Sequence, residues 1–136
     1  MLTPKSIVEQ MMAKDAMSQW LGIEIIDVTP GNVIISMVVK PEMLNGFEIA
    51  HGSITYALSD SCLAFSSNSH GQQSVSVETS ISHLAPVFAG DKLTTSIEEI
   101  SLTKRFGIYA VSIYNQDQKL VSTFKGTMYR KDKIWK

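Results

Sequence analysis

The residues best suited to chemistry lie in one stretch, His51-Gly52-Ser53-Ile54-Thr55-Tyr56-Ala57-Leu58-Ser59-Asp60, which opens a long apolar segment. Gly52 falls at the start of a helical pattern. Backbone N–H groups there lack intrahelical acceptors and the helix dipole is positive, so a developing oxyanion would be stabilised. Further along, Asp60 is the one charge among Leu58, Cys62, Leu63, Ala64 and Phe65, an uncommon setting for a carboxylate. The pairing suggests a carbonyl polarised at one point and attacked from another. Apolar surroundings are expected to raise the Asp60 pKa toward that of a useful base.

Other reactive side chains have simpler readings. His51 is expected to hydrogen-bond at the helix start rather than act as a base. His70 and His83 share no ligand spacing with it, so no metal site is expected. Cys62 belongs to the apolar face and reads as core packing. Ser53, Ser59 and Ser61 do not form a Gly-x-Ser-x-Gly elbow, which argues against a serine hydrolase.

The elements that must position these residues are legible from pattern. Thr3-Pro4 reads as a cap followed by proline in the first helical turn. Apolar spacing at Ile7, Val8, Met11 and Met12 continues through Met17, Trp20 and Leu21 to a stop at Gly22. Two β-branched runs, Ile23 to Thr29 and Val33 to Lys40, flank Pro30-Gly31-Asn32 as a hairpin. After Pro41 an irregular segment, Leu44-Asn45-Gly46-Phe47, leads into the long helix, which Asn68-Ser69-His70-Gly71 ends. Four strands follow, from Ser74 to Leu84, Lys92 to Ser101, Phe106 to Asn115 and Lys119 to Arg130. The closing residues Arg130, Lys131, Lys133 and Lys136 read as a solvated tail. One long helix followed by consecutive strands indicates an α+β fold with an antiparallel sheet wrapped over that helix. The gaps between the last strands are too short for the crossovers of a parallel sheet.

Together these pieces resemble the hotdog-fold acyl-CoA thioesterases, most closely the phenylacetate-degradation thioesterase branch. The likeness runs from Asp15-Ala16 and Leu21-Gly22-Ile23, through Asn45-Gly46, His51-Gly52, Leu58-Ser59-Asp60, Ala85-Pro86 and Ala89-Gly90-Asp91, to Gly126 and Arg130. It implies a single hotdog domain over residues 1–136, with an extra N-terminal helix. It implies hydrolysis of an aryl- or medium-chain acyl-CoA to free acid and coenzyme A, with no cofactor beyond the coenzyme A of the substrate.

The resemblance assigns roles to matching residues. The Gly52 N–H polarises the thioester carbonyl, and Asn45 orients the carbonyl or the attacking water. Asp60 acts as general base or nucleophile from a neighbouring subunit of a homodimer or homotetramer, and Ser76 helps place the water. His51 and Ser53 flank the substrate. Where the usual motif has a second glycine, Ser53 carries a side chain that narrows the approach. Lys104-Arg105 reads either as a solvated turn or as a contact for the coenzyme A phosphates.

Two other functions are weighed. A non-catalytic acyl-CoA-binding hotdog protein, a sensor or scaffold, would not need the carboxylate. A hydratase needs Asp and His together, whereas Asp60 and His51 lie about 13 Å apart along a helix.

Composition narrows the class. Of 136 residues, 44% are hydrophobic and 18% charged, which suits one packed domain rather than a disordered chain. A formal charge of −1 gives no basis for nucleic-acid or anionic-membrane binding. No apolar run suits a membrane span, and Met1-Leu2-Thr3-Pro4-Lys5 does not read as a signal peptide. A single cysteine precludes an internal disulfide and suits the cytoplasm.

Overall fold

The computed structural model describes residues 2–136; Met1, the first residue of the amino-terminal stretch read above, lies outside them. The elements are α1 (Pro4–Met12), α2 (Ala16–Leu21), β1 (Glu24–Thr29), β2 (Asn32–Val38), a 3-10 turn (Pro41–Met43), α3 (Gly52–Asn68), β3 (Gln72–His83), β4 (Lys92–Leu102), β5 (Phe106–Tyr114) and β6 (Leu120–Ile134). The chain is an α+β hotdog: a six-stranded antiparallel sheet, ordered β1-β2-β4-β5-β6-β3, curls around α3.

Thr3 caps α1 as expected, its hydroxyl oxygen accepting the Ser6 N–H at 3.1 Å. The apolar pattern expected to run on to Gly22 is broken into two helices. Asp15 breaks it by accepting the Ser18 N–H at 2.9 Å, because an aspartate that can cap a following turn competes with helix continuation.

α3 is enclosed on most sides, with Ile54, Leu58, Cys62, Leu63 and Phe65 buried against the sheet. Each large apolar side chain of this kind stabilises the fold by roughly 1.5–3 kcal/mol through burial. Close packing depends on small partners. A β-carbon on Gly126 of β6 would lie 2.5 Å from Leu63 Cδ2, so only glycine lets that strand approach the helix. Serines on α3 serve the backbone beside it: Ser66 Oγ accepts the Val33 N–H at 3.0 Å. Beyond the helix, Glu99 accepts from His70 Nε2 at 2.6 Å and from the Tyr109 hydroxyl at 2.8 Å, tying the residues after α3 to β4 and β5.

Lys131, Lys133 and Lys136 are exposed, as expected of solvated charges, but the segment that carries them is not a free tail. β6 runs on to Ile134, which pairs with Gln72, and Arg130 Nη1 donates to the Thr103 carbonyl. The Trp135 N–H donates to the Gly71 carbonyl at 2.9 Å. Its indole Nε1–H donates to Asn68 Oδ1 at 2.8 Å. These partners are distant in sequence and invisible to local charge pattern, which is why the segment read as an unpaired tail.

At the other side of β3 the sheet ends, because β3 is last in the order and bonds only to β6 among the described residues. Val75 and Val77 are 45% and 58% exposed on this edge strand. A long open edge with apolar side chains is a natural pairing surface.

Candidate active site

Gly52 is the first residue of α3, and His51 caps the helix. His51 Nδ1 accepts the Ser53 N–H at 3.1 Å and lies 2.7 Å from Ser53 Oγ. This is the hydrogen-bonding role expected of His51. The Ser53 donor is thereby satisfied, while the Gly52 N–H, at the first helical position, has no intrahelical acceptor. The His83 ring lies over Gly52, and a β-carbon there would sit 3.2 Å from His83 Nε2. A cavity of about 210 Å³ beside Gly52 is lined by Asn45, Ala50, Thr55, His83 and Val121. Asn45 Oδ1 accepts the Phe47 N–H at 2.9 Å, closing the turn and turning the amide donors outward from that bond.

Asp60 is exposed in the protomer rather than enclosed by the apolar residues around it in sequence. Helical rotation explains the difference: Leu58, Cys62, Leu63 and Phe65 turn inward to the sheet, whereas Asp60 falls on the opposite side. Its pKa is nonetheless raised, first by desolvation among the surrounding groups and then by repulsion from the Asp15 carboxylate. A cavity of about 340 Å³ adjoins it, lined by Met11, Ala64, Ser76, Met128 and Trp135 among others. Ser76 and Asp60 therefore share one cavity. Asp15 is held nearby by its helix cap: Ser18 Oγ donates to Asp15 Oδ2 at 2.6 Å and lies 2.8 Å from Ser61 Oγ.

The candidate residues thus divide into two groups. Gly52 and Asn45 line one cavity, Asp60 and Ser76 another, and the two share no residue. Eight residues of helix separate Gly52 from Asp60 by about 12 Å of rise, too far for both to act on one carbonyl within a protomer. Lys104 and Arg105 line neither cavity. The Arg105 guanidinium forks onto Asp132 at 2.7 and 2.8 Å, and this partner holds the Asp132 carboxyl below its usual range.

Cys62 is fully buried, donates to the Val33 carbonyl at 3.3 Å, and has its thiol pKa pushed up to about 11 by burial. That suits packing, not nucleophilic attack. Among the described residues no three His, Cys, Asp or Glu side chains converge as a metal site. No helix among them is long and apolar enough to cross a membrane. The place of His83 over Gly52 and of Trp135 in the cavity at Asp60 has no counterpart in the sequence pattern. Both arise between residues far apart in the chain, and no local spacing marks them.

Comparison with known proteins brings four findings. The thioesterase superfamily model matches residues 47–122, which include Gly52, Asp60 and Ser76. The acyl-coenzyme A thioesterase PaaI of Escherichia coli is 38% identical over 88% of this chain and 86% of its own. The structure of the E. coli PaaI protein, from the phenylacetic acid degradation operon, superposes with a TM-score of 0.94 at 34% identity, over 96% of this chain and 95% of that one. A hypothetical thioesterase from Streptococcus pneumoniae, solved with coenzyme A, gives a TM-score of 0.86 at 25% identity, over 93% and 98% of the two chains.

Proposed function

The chain belongs to the thioesterase superfamily, and from that premise we propose that it hydrolyses aryl- or medium-chain acyl-CoA thioesters in a site shared between two subunits. The observation that carries the shared site is the division of Gly52 and Asp60 between separate cavities. The open β3 edge supplies the means of assembly. Val75 and Ser76 lie on that strand and line the Asp60 cavity, so pairing through it brings a second protomer to Asp60. A twofold dimer of this kind holds two equivalent sites, and two dimers make the tetramer the resemblance implies.

In this mechanism the Gly52 N–H donates to the thioester carbonyl oxygen, aided by the positive end of α3. Asn45, whose Oδ1 is occupied by the Phe47 N–H, offers its amide donors to the same oxygen. On the opposite face Asp60 of the partner subunit takes a proton from water, with the Ser76 hydroxyl helping to hold that water. Hydroxide adds to the carbonyl carbon, the tetrahedral oxyanion collapses, and the C–S bond breaks to release the free acid and coenzyme A thiolate, which takes up the proton held by Asp60 and so restores its carboxylate. Direct attack by the Asp60 carboxylate, giving an anhydride that water then opens, uses the same geometry. Desolvation and Asp15 both raise the Asp60 pKa, which makes its carboxylate a stronger base.

His51 and Ser53 frame the helix start where the substrate approaches. Lys104 and Arg105 contact the coenzyme A phosphates, with Arg105 dividing its donors between Asp132 and the ligand. We place the enzyme in the cytoplasm, in keeping with its single unpaired thiol.

The test is thiol release from phenylacetyl-CoA, a hydroxylated aryl-CoA, and short and medium straight-chain esters, by wild type and by Asp60→Asn. Wild-type turnover that falls by about 10²–10⁴ in the variant, with coenzyme A ester binding retained, is expected. Tight stoichiometric binding without turnover by either protein would instead identify an acyl-CoA-binding module.

A further inference from the structure

Trp135 is the penultimate residue, yet it is fixed like a core side chain. Its backbone N–H donates to the Gly71 carbonyl at 2.9 Å and its indole N–H donates to Asn68 Oδ1 at 2.8 Å. Asn68 is 2% exposed, and its amide is fully engaged. Nδ2 donates to the carbonyls of Ala64 and Ser74 at 2.8 and 3.2 Å, and Oδ1 also accepts the Ser74 N–H at 2.9 Å. The indole is therefore held by a buried amide that has no spare hydrogen-bonding capacity to release it.

This tryptophan stands between two voids. The cavity of about 340 Å³ at Asp60 and a neighbouring cleft of about 900 Å³ have Met11, Gln73 and Trp135 in common. Asp60 lines only the smaller one. The larger continues between the α1–α2 region and the end of β6, past Gln10, Lys14 and Lys133. The flat indole and the flexible Met11 thioether are the apolar part of the partition.

We propose that Trp135, backed by Met11, is the end wall of the acyl pocket and sets the longest acyl group that the enzyme accepts. The inference rests on the thioesterase reading, in which the acyl carbonyl lies beside Asp60. An acyl group entering there fills the smaller cavity and stops against the indole. Removing the indole joins the cavity to the cleft and leaves room for a longer chain. Trp135 acts on acyl length rather than on the reacting groups, since its hydrogen bonds go to Gly71 and Asn68 and not to Gly52 or Asp60.

The experiment measures kcat/KM for straight-chain acyl-CoA esters from acetyl to palmitoyl in wild type, Trp135→Ala, Trp135→Phe and Met11→Ala. Binding of the same esters to the Asp60→Asn forms is measured in parallel. A single methylene in an apolar pocket is worth about 10- to 200-fold in discrimination. Trp135→Ala is therefore expected to raise the preference for dodecanoyl over hexanoyl ester by at least about tenfold. Met11→Ala shifts it in the same direction, and Trp135→Phe, which keeps an aromatic wall, leaves it near wild type. Thioesterase activity with an unchanged length profile in both folded alanine variants would overturn the wall while sparing the thioesterase reading. Absence of turnover by wild type on every ester would overturn the thioesterase reading. The binding profile would then decide the wall: a shift toward long esters supports it, and an unchanged profile refutes it.

Discussion

Replacing Gly52 by alanine adds a carbon 3.2 Å from His83 Nε2 and 3.4 Å from Cε1. Both separations are shorter than the 3.5–4.0 Å at which non-bonded carbons are comfortable. Either the ring or the first turn of α3 must yield by a few tenths of an ångström. The ring is not free to leave, because His83 Nδ1 lies 3.3 Å from Thr55 Oγ1 on the same helix. The Gly52 N–H survives the substitution, but its aim at the carbonyl oxygen changes. Complete loss of an oxyanion donor costs about 2.7–4 kcal/mol. Misdirection is expected to forfeit about half of that, which is a 10- to 30-fold fall in kcat with KM little changed. Gly52 opens the helix, outside the interior where alanine gains up to about 1 kcal/mol over glycine, so crowding against His83 is expected to leave stability unchanged or slightly lower. The assay is steady-state thiol release, with thermal melting, for Gly52→Ala, His83→Ala and the double variant. Whatever His83→Ala does alone, adding Gly52→Ala to it should cost less than about twofold, since the obstructing ring is gone. An equal cost in both backgrounds, or none in the wild-type background, would show that His83 does not govern the aim of the Gly52 N–H.

Three further outcomes follow from the same geometry. Asp15 raises the Asp60 pKa by like-charge repulsion, with the cationic Lys131 side chain also lining the cavity at Asp60. Asp15→Asn keeps a competent helix cap and removes that repulsion, so the acid limb of the kcat/KM profile should move to lower pH; a limb that stays put contradicts the coupling. Lys104→Ala combined with Arg105→Ala should raise KM for coenzyme A esters while kcat and hydrolysis of short thioesters lacking the nucleotide stay at wild-type values. Equal behaviour toward both substrate types would remove the phosphate contact. Cys62, fully buried with its pKa pushed up to about 11, should resist a thiol reagent at neutral pH until denaturant opens the fold. Rapid labelling of the native protein would show that α3 opens locally.

Much of the architecture was legible because each element carries its own pattern. Alternation in β5 puts Gly107, Tyr109, Val111 and Ile113 inside, and the long apolar segment that opens at Gly52 and ends near Asn68 is the helix that the sheet encloses. The pairing of a helix-start glycine with a later aspartate also marked both halves of the candidate site. Their environment was less legible. Apolar neighbours in sequence suggested a buried Asp60, but helical rotation places it on the exposed side. The break at Asp15 turned on a single side chain choosing to cap. Trp135 and His83 took their places through contacts with Asn68 and Gly52, 67 and 31 residues away in the chain, and periodicity carries no information about such pairs.

In the proposed enzyme Gly52 and Asp60 act together only across two subunits. Co-refolding equal amounts of Asp60→Asn and Gly52→Val, each inactive alone, tests it directly. Half of the randomly assembled dimers contain one of each chain, and each such dimer holds one site with both wild-type groups and one with neither. Thiol release at about 25% of the wild-type rate per site is expected. Activity no greater than that of the separate variants would place both groups in the service of a single protomer and rule out the shared site.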